Sequence, residues 1–60
     1  MEPGNLVKYE DYDGDVHFGY VLCLDTDYNN EVLYHIRWND GTESDEPHCN
    51  YRDGVIKVIQ

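Results

Sequence analysis

Apolar and polar positions along this 60-residue chain fall into short alternating runs, not into long helical stripes. Asn5 to Glu10 (NLVKYE) is the first run, set off by Pro3 and Gly4, which punctuate regular structure. After it, DYDGDVH reads as a long polar loop with glycine at its middle. Phe18 to Asp25 (FGYVLCLD) is nearly continuous in apolar side chains, which predicts a bent strand buried on both sides for part of its length. Gly19 inside it predicts a bulge or a close backbone approach. TDYNN, residues 26 to 30, is a turn cluster.

Glu31 to Asn39 (EVLYHIRWN) then alternates with period two, placing Val32, Tyr34, Ile36 and Trp38 on one face and Leu33, His35 and Arg37 on the other. Asp40-Gly41 is the dipeptide favoured in a type I′ hairpin turn, where both central residues take positive φ. The chain is expected to return as an acidic fourth strand around Thr42 to Glu46. Pro47 ends it, HCNYRDG is long enough for one helical turn, and Gly54 to Gln60 (GVIKVIQ) closes the fold with Ile56 and Val58 on one face.

Composition agrees with an all-β reading: the apolar residues are mostly Val, Ile, Leu and Tyr, and there is no alanine. A chain of this length makes one domain, residues 1–60, and buries only about 60% of its unfolded surface. Thirteen acidic residues against Lys8, Arg37, Arg52 and Lys57 give a net charge of −9, which repels nucleic-acid backbones and anionic membranes and favours a protein partner with a basic patch. Cys23 and Cys49 are read as reduced core or rim residues, consistent with a cytoplasmic setting, and no apolar run reaches the roughly 20 residues of a membrane span.

Five short strands, a long first loop, a tight third hairpin and a helical turn before the last strand describe a five-stranded SH3-like barrel, whose closure would remove the sheet's sticky edges. Four motifs carry the likeness: Gly4-Asn5-Leu6-Val7-Lys8, Gly19-Tyr20-Val21, Tyr34-His35-Ile36-Arg37-Trp38-Asn39-Asp40-Gly41-Thr42 and Lys57-Val58-Ile59. In these the chain resembles Tudor-like and other SH3-like barrels, and most closely the very small single-domain proteins of this type in tailed-phage and bacterial genomes. The resemblance implies the fold. For function it implies a range, from binding of peptides, methylated lysine or arginine, ribosomal components or polymerase to virion and accessory roles.

Candidate chemistry is sparse. DYDGD resembles the start of an EF-hand calcium loop, but its glycine precedes the third aspartate instead of following it, and position 12 counted from Asp11 is Leu22, not glutamate. His17, His35, His48 and the two cysteines lack the close pairing of a zinc knuckle. No nucleophile, base and orienting group share a useful spacing, so neither an enzyme nor a cofactor or metal site is expected.

Aromatic residues carry more weight: six tyrosines, one tryptophan and one phenylalanine exceed what so small a core can cover. The Tudor-like resemblance implies a methyl-cation cage from Tyr12, Phe18, Tyr20 and Tyr34 or Trp38, with Asp13, Asp15 or Asp40 as the acid. The residues by themselves favour Tyr34 and Trp38 as core and the other tyrosines as rim. The expected site is then an acidic, tyrosine-lined docking surface of Tyr12, Asp13, Asp15, Phe18, Tyr20, Tyr28, Asp40 and Glu43, built from the first loop, the 26 to 30 turn and the Asp40-Gly41 hairpin. The expected protein is a non-enzymatic, phage-related interaction module, a monomer or weak homo-oligomer in the host cytoplasm or on a virion. Two alternatives stand beside it: a structural virion accessory protein that self-associates or binds capsid or tail, and an acidic DNA mimic directed at a host DNA-binding protein.

Overall fold

The computed structural model describes all residues 1–60. Five strands, β1 (Leu6–Glu10), β2 (Val16–Thr26), β3 (Val32–Trp38), β4 (Glu43–Pro47) and β5 (Ile56–Val58), form one antiparallel sheet in the order β4-β3-β2-β1-β5. One short helix, α1 (His48–Arg52), precedes β5 and packs against β3, β4 and β5. The all-β expectation holds, including the helical turn before the last strand. No ladder joins β4 to β5; α1 spans that gap.

Alternation decides which face is buried. Val7, Val21, Tyr34, Ile36 and Ile56 form the core on the inner face, with Met1, Tyr9, Val32 and Trp38 packed against it. Register brings these positions together: Val21 lies opposite Ile36, and Tyr9 opposite Ile56. Gly19, between Trp38 and Val7, is the expected close approach, since a Cβ there would sit 2.6 Å from the Arg37 carbonyl oxygen. The bulge lies elsewhere, between Val21 and Cys23, where Leu22 is the extra residue. Beyond it Leu24 and Thr26 lie opposite the inner positions Tyr34 and Val32, so a run read as buried on both sides is exposed over much of its second half.

Three successive hairpins close with the same turn, and this corrects two expectations. In each, a three-residue loop carries its third residue at positive φ: Gly14 (88°), Asn30 (62°) and Gly41 (90°). The first loop is therefore tight, closed by Asp11 N–H donating to the Asp15 carbonyl at 2.8 Å, and not long. The third is not type I′, because Asp40 keeps negative φ and only Gly41 enters the left-handed region; Trp38 N–H donates to the Thr42 carbonyl at 2.8 Å across a three-residue loop. Aspartates fix these turns by accepting backbone N–H groups. Asp11 Oδ1 takes those of Asp13 and Asp15, and Asp27 Oδ1 those of Asn29 and Glu31. Asp40 Oδ1 takes both the N–H and the hydroxyl of Thr42. The acid run that resembled a calcium loop is turn chemistry.

Candidate functional site

A meander alternates ends as a strand alternates faces, and together these divide the expected docking surface. The β1–β2 and β3–β4 turns share one end of the molecule, whereas the 26 to 30 turn lies at the other, separated by the eleven residues of β2 in a body 31 Å long. Tyr28 therefore lies at the opposite end of the molecule from Tyr12 and Asp40. Tyr12 and Tyr28 stand at 104% and 96% exposure on their turn tips, touching little of their own fold. Phe18 and Tyr20 lie on the outer face, opposite Lys8 and Leu6, while Gly19 between them faces inward. Glu43 sits on β4, bonded to His35.

What the fold does assemble, at the end shared by two hairpins, is a notch of about 290 Å³ lined by Tyr9, His17, Trp38, Asp40, Thr42, Ser44 and Glu46. Tyr9 is its centre: its ring stacks on His17 at 5.7 Å and meets Trp38, tilted by 53°, at 6.0 Å. Trp38 is fixed by its indole N–H, which donates to Ser44 Oγ at 2.8 Å. His17 is fixed by Asp11, whose Oδ2 lies 3.0 Å from Nε2. Three ring systems are thus held in place beside two carboxylates, those of Asp40 and Glu46.

The electrostatics keep the notch anionic. The hydroxyl and backbone N–H of Thr42 hold the Asp40 carboxyl below its ordinary range. The His17 hydrogen bond, helped by the N–H groups of Asp15 and Asp13, lowers that of Asp11. What the two groups add to stability is present above their unfolded pKa and lost as pH falls through the depressed folded value.

Of the expected site residues, Asp40 alone lines this notch. Trp38 divides its surface between core and notch, whereas Tyr34 is buried; its hydroxyl lies 2.7 Å from His48 Nδ1, and its ring packs edge-on to Tyr51. Burial, and then the neighbouring Tyr51, push the Tyr34 phenol up. Tyr9 and His17 were missed, although the signal was present: Tyr9 is two residues from Val7, so the alternation that buries Val7 turns Tyr9 to the same face. Cys23 and Cys49 are free and exposed, rim residues and not core.

On the outer face, His35 is clamped by two carboxylates, with Nδ1 2.6 Å from Asp45 Oδ1 and Nε2 2.7 Å from Glu43 Oε1. Both ring nitrogens must donate, so the imidazolium is the favoured form, and Asp45 followed by Glu43 raises its pKa. A raised folded pKa contributes stability that is complete below the unfolded value of about 6.5 and is lost as pH rises through the folded one. Urea midpoints are therefore expected to fall as pH climbs through the His35 titration followed by NMR, and His35→Gln to flatten that part of the profile. An unchanged profile in the variant would remove the clamp's role.

No helix is long and apolar enough to cross a membrane. In comparisons with protein-family models, curated proteins and solved structures, none matches this chain.

Proposed function

We propose that this chain is a small non-enzymatic protein-interaction module of SH3-like, Tudor-like architecture, phage-related, which docks a basic patch of a partner by seating an arginine side chain in the notch. The observation that carries this reading is the convergence of the Tyr9, His17 and Trp38 rings with the Asp40 and Glu46 carboxylates in one open recess. A guanidinium suits both halves of it: the planar cation stacks on aromatic faces, and its fork of donors matches carboxylates. Cation–π contact at a half-exposed site is worth about 0.5–2 kcal/mol, so affinity would be shared with the surrounding acid surface. A net charge of −9 would steer a basic partner and reject nucleic acid.

Trp38 is the single tryptophan, which makes it the reporter. Titration with an arginine-rich peptide is expected to change its fluorescence, more strongly than a lysine peptide of equal charge does. The response should weaken as salt is raised. Replacing both carboxylates, Asp40→Asn with Glu46→Gln, is expected to cost at least about tenfold in affinity, or about 1.4 kcal/mol. Equal affinity in that double variant, or no binding to the unmodified chain, would sink the proposal.

A further inference from the structure

The notch contains one group able to change the sign of its surroundings. Of the seven residues that line it, only His17 can become a cation; the others are the carboxylates of Asp40 and Glu46 and four uncharged side chains, with no lysine or arginine among them. Cross-strand pairing fixes where His17 stands. It lies opposite Tyr9 of β1, on whose ring it stacks, and the Asn39 N–H donates to the Phe18 carbonyl at 2.8 Å, which draws the β3–β4 turn with Asp40 alongside.

Hydrogen bonding also decides which ring nitrogen is free. Asp11 Oδ1 is occupied by the N–H groups of Asp13 and Asp15, and its Oδ2 lies 3.0 Å from His17 Nε2. An ionised carboxylate only accepts, so in the neutral ring Nε2 carries the hydrogen and donates it. Nδ1 has no partner within the protein and is then an unprotonated acceptor on a ring that lines the notch.

Every charged group that faces this ring is acidic. Asp11, Asp13 and Asp15 come from the turn before β2, Asp40 from the β3–β4 turn and Glu46 from β4, while β1 offers the Tyr9 phenol. Lys8 pairs with Phe18 and Lys57 with Lys8 on the opposite face of the sheet. A charge on His17 is felt across the recess: after the hydroxyl and N–H of Thr42, it is a further influence lowering the Asp40 carboxyl.

We propose that His17 is a proton-operated switch on the notch: neutral, its Nδ1 is a third acceptor for a guanidinium beside Asp40 and Glu46, and protonated, it shuts the notch to cations. The inference rests on the arginine reading of the notch and names the regulation of that site. Two effects of protonation act in the same direction. The nitrogen that accepted an N–H of the ligand becomes a donor, and a positive charge enters a recess that selects for positive charge. His35, between Asp45 and Glu43 on the outer face, and His48, bonded to Tyr34, line no part of the notch.

Titration of the full chain with a short arginine-rich peptide, read by Trp38 fluorescence between about pH 5 and 8, tests the inference. Affinity is expected to fall by about fivefold or more from the alkaline to the acid side of the His17 titration, which NMR of the imidazole follows. His17→Gln keeps an amide N–H for Asp11 but takes up no proton. Its profile should retain only the shallow slope that His35 and His48 impose through net charge. Because the variant can lose its fold, the unmodified chain supplies a second reading: linkage requires saturating peptide to hold His17 neutral to lower pH, by the same factor. Parallel profiles in the two chains, or a His17 titration that peptide does not move, would overturn the inference and leave the arginine reading standing. No binding by the unmodified chain at any pH would remove both.

Discussion

Gly19→Ala is expected to destabilise the domain severely although it adds a single methyl group. The new Cβ would lie 2.6 Å from the Arg37 carbonyl oxygen, 2.9 Å from Trp38 Cε3 and 3.1 Å from Ile36 Cγ2. The first neighbour is backbone near the open end of the β2–β3 ladder, where Gly19 pairs with Trp38 and Tyr20 with Arg37, so relief requires β3 to move and its pairing to loosen. Overpacking of this kind costs about 1–3 kcal/mol and sometimes more, against a total of roughly 3–9 kcal/mol for a chain of this length. Gly14→Ala is the control. Nothing stands within 4 Å of its Cβ, and its cost comes from φ of +88° alone, on the order of 1 kcal/mol. Urea midpoints of the two variants should differ in that order. A Gly19→Ala protein as stable as the parent would show that the strands do not approach as described.

The second large effect is expected at Ile36→Ala. Ile36 is fully buried at the middle of β3, opposite Val21 on one side and Ser44 on the other, and it belongs to a core of only five residues. Truncation costs the lost burial plus a cavity that so small a core has few side chains to refill, about 2–5 kcal/mol. Set against roughly 3–9 kcal/mol in all, that is from about a quarter of the expected stability to most of it, so the thermal transition should be lowered by roughly 10 °C or more. Val58→Ala, on the same face of the short β5 but exposed, should change little. Similar losses at the two positions would contradict the core as placed here.

Strand existence was legible because alternation is a local property: Val32 to Trp38 announces its faces from side-chain type alone. Tyr34 and Ile36 accordingly fall in the core. The candidate site was less legible, for two physical reasons. Which turns share an end depends on counting strands through the whole meander, and that sends Tyr28 away from Tyr12 and Asp40. Which aromatic residues converge depends on register between strands, and no single segment contains it. Tyr9 meets Trp38 across Gly19, a residue without a side chain, so the gap between the rings is set by a glycine on a third strand. The turn type at Asp40-Gly41 was misread because the dipeptide serves two hairpin geometries. Loop length separates them, and the backbone bond between Trp38 and Thr42 decides it.

The extra residue at Leu22 gives β2 two reading frames. Before it, odd-numbered positions such as His17, Gly19 and Val21 face inward; after it, even-numbered Leu24 and Thr26 take over, and Cys23 and Asp25 turn out beside His35 and Leu33. Had the strand kept one frame, the carboxylate of Asp25 would have pointed to the inner side and Leu24 to the outer one. The frame changes where β1 stops covering β2, at the backbone bonds joining Val21 to Gly4 and Asn5. A single unpaired residue thus lets one strand serve two neighbourhoods whose polarity rules are opposite, and it keeps the aspartate that follows on the wet side of the sheet.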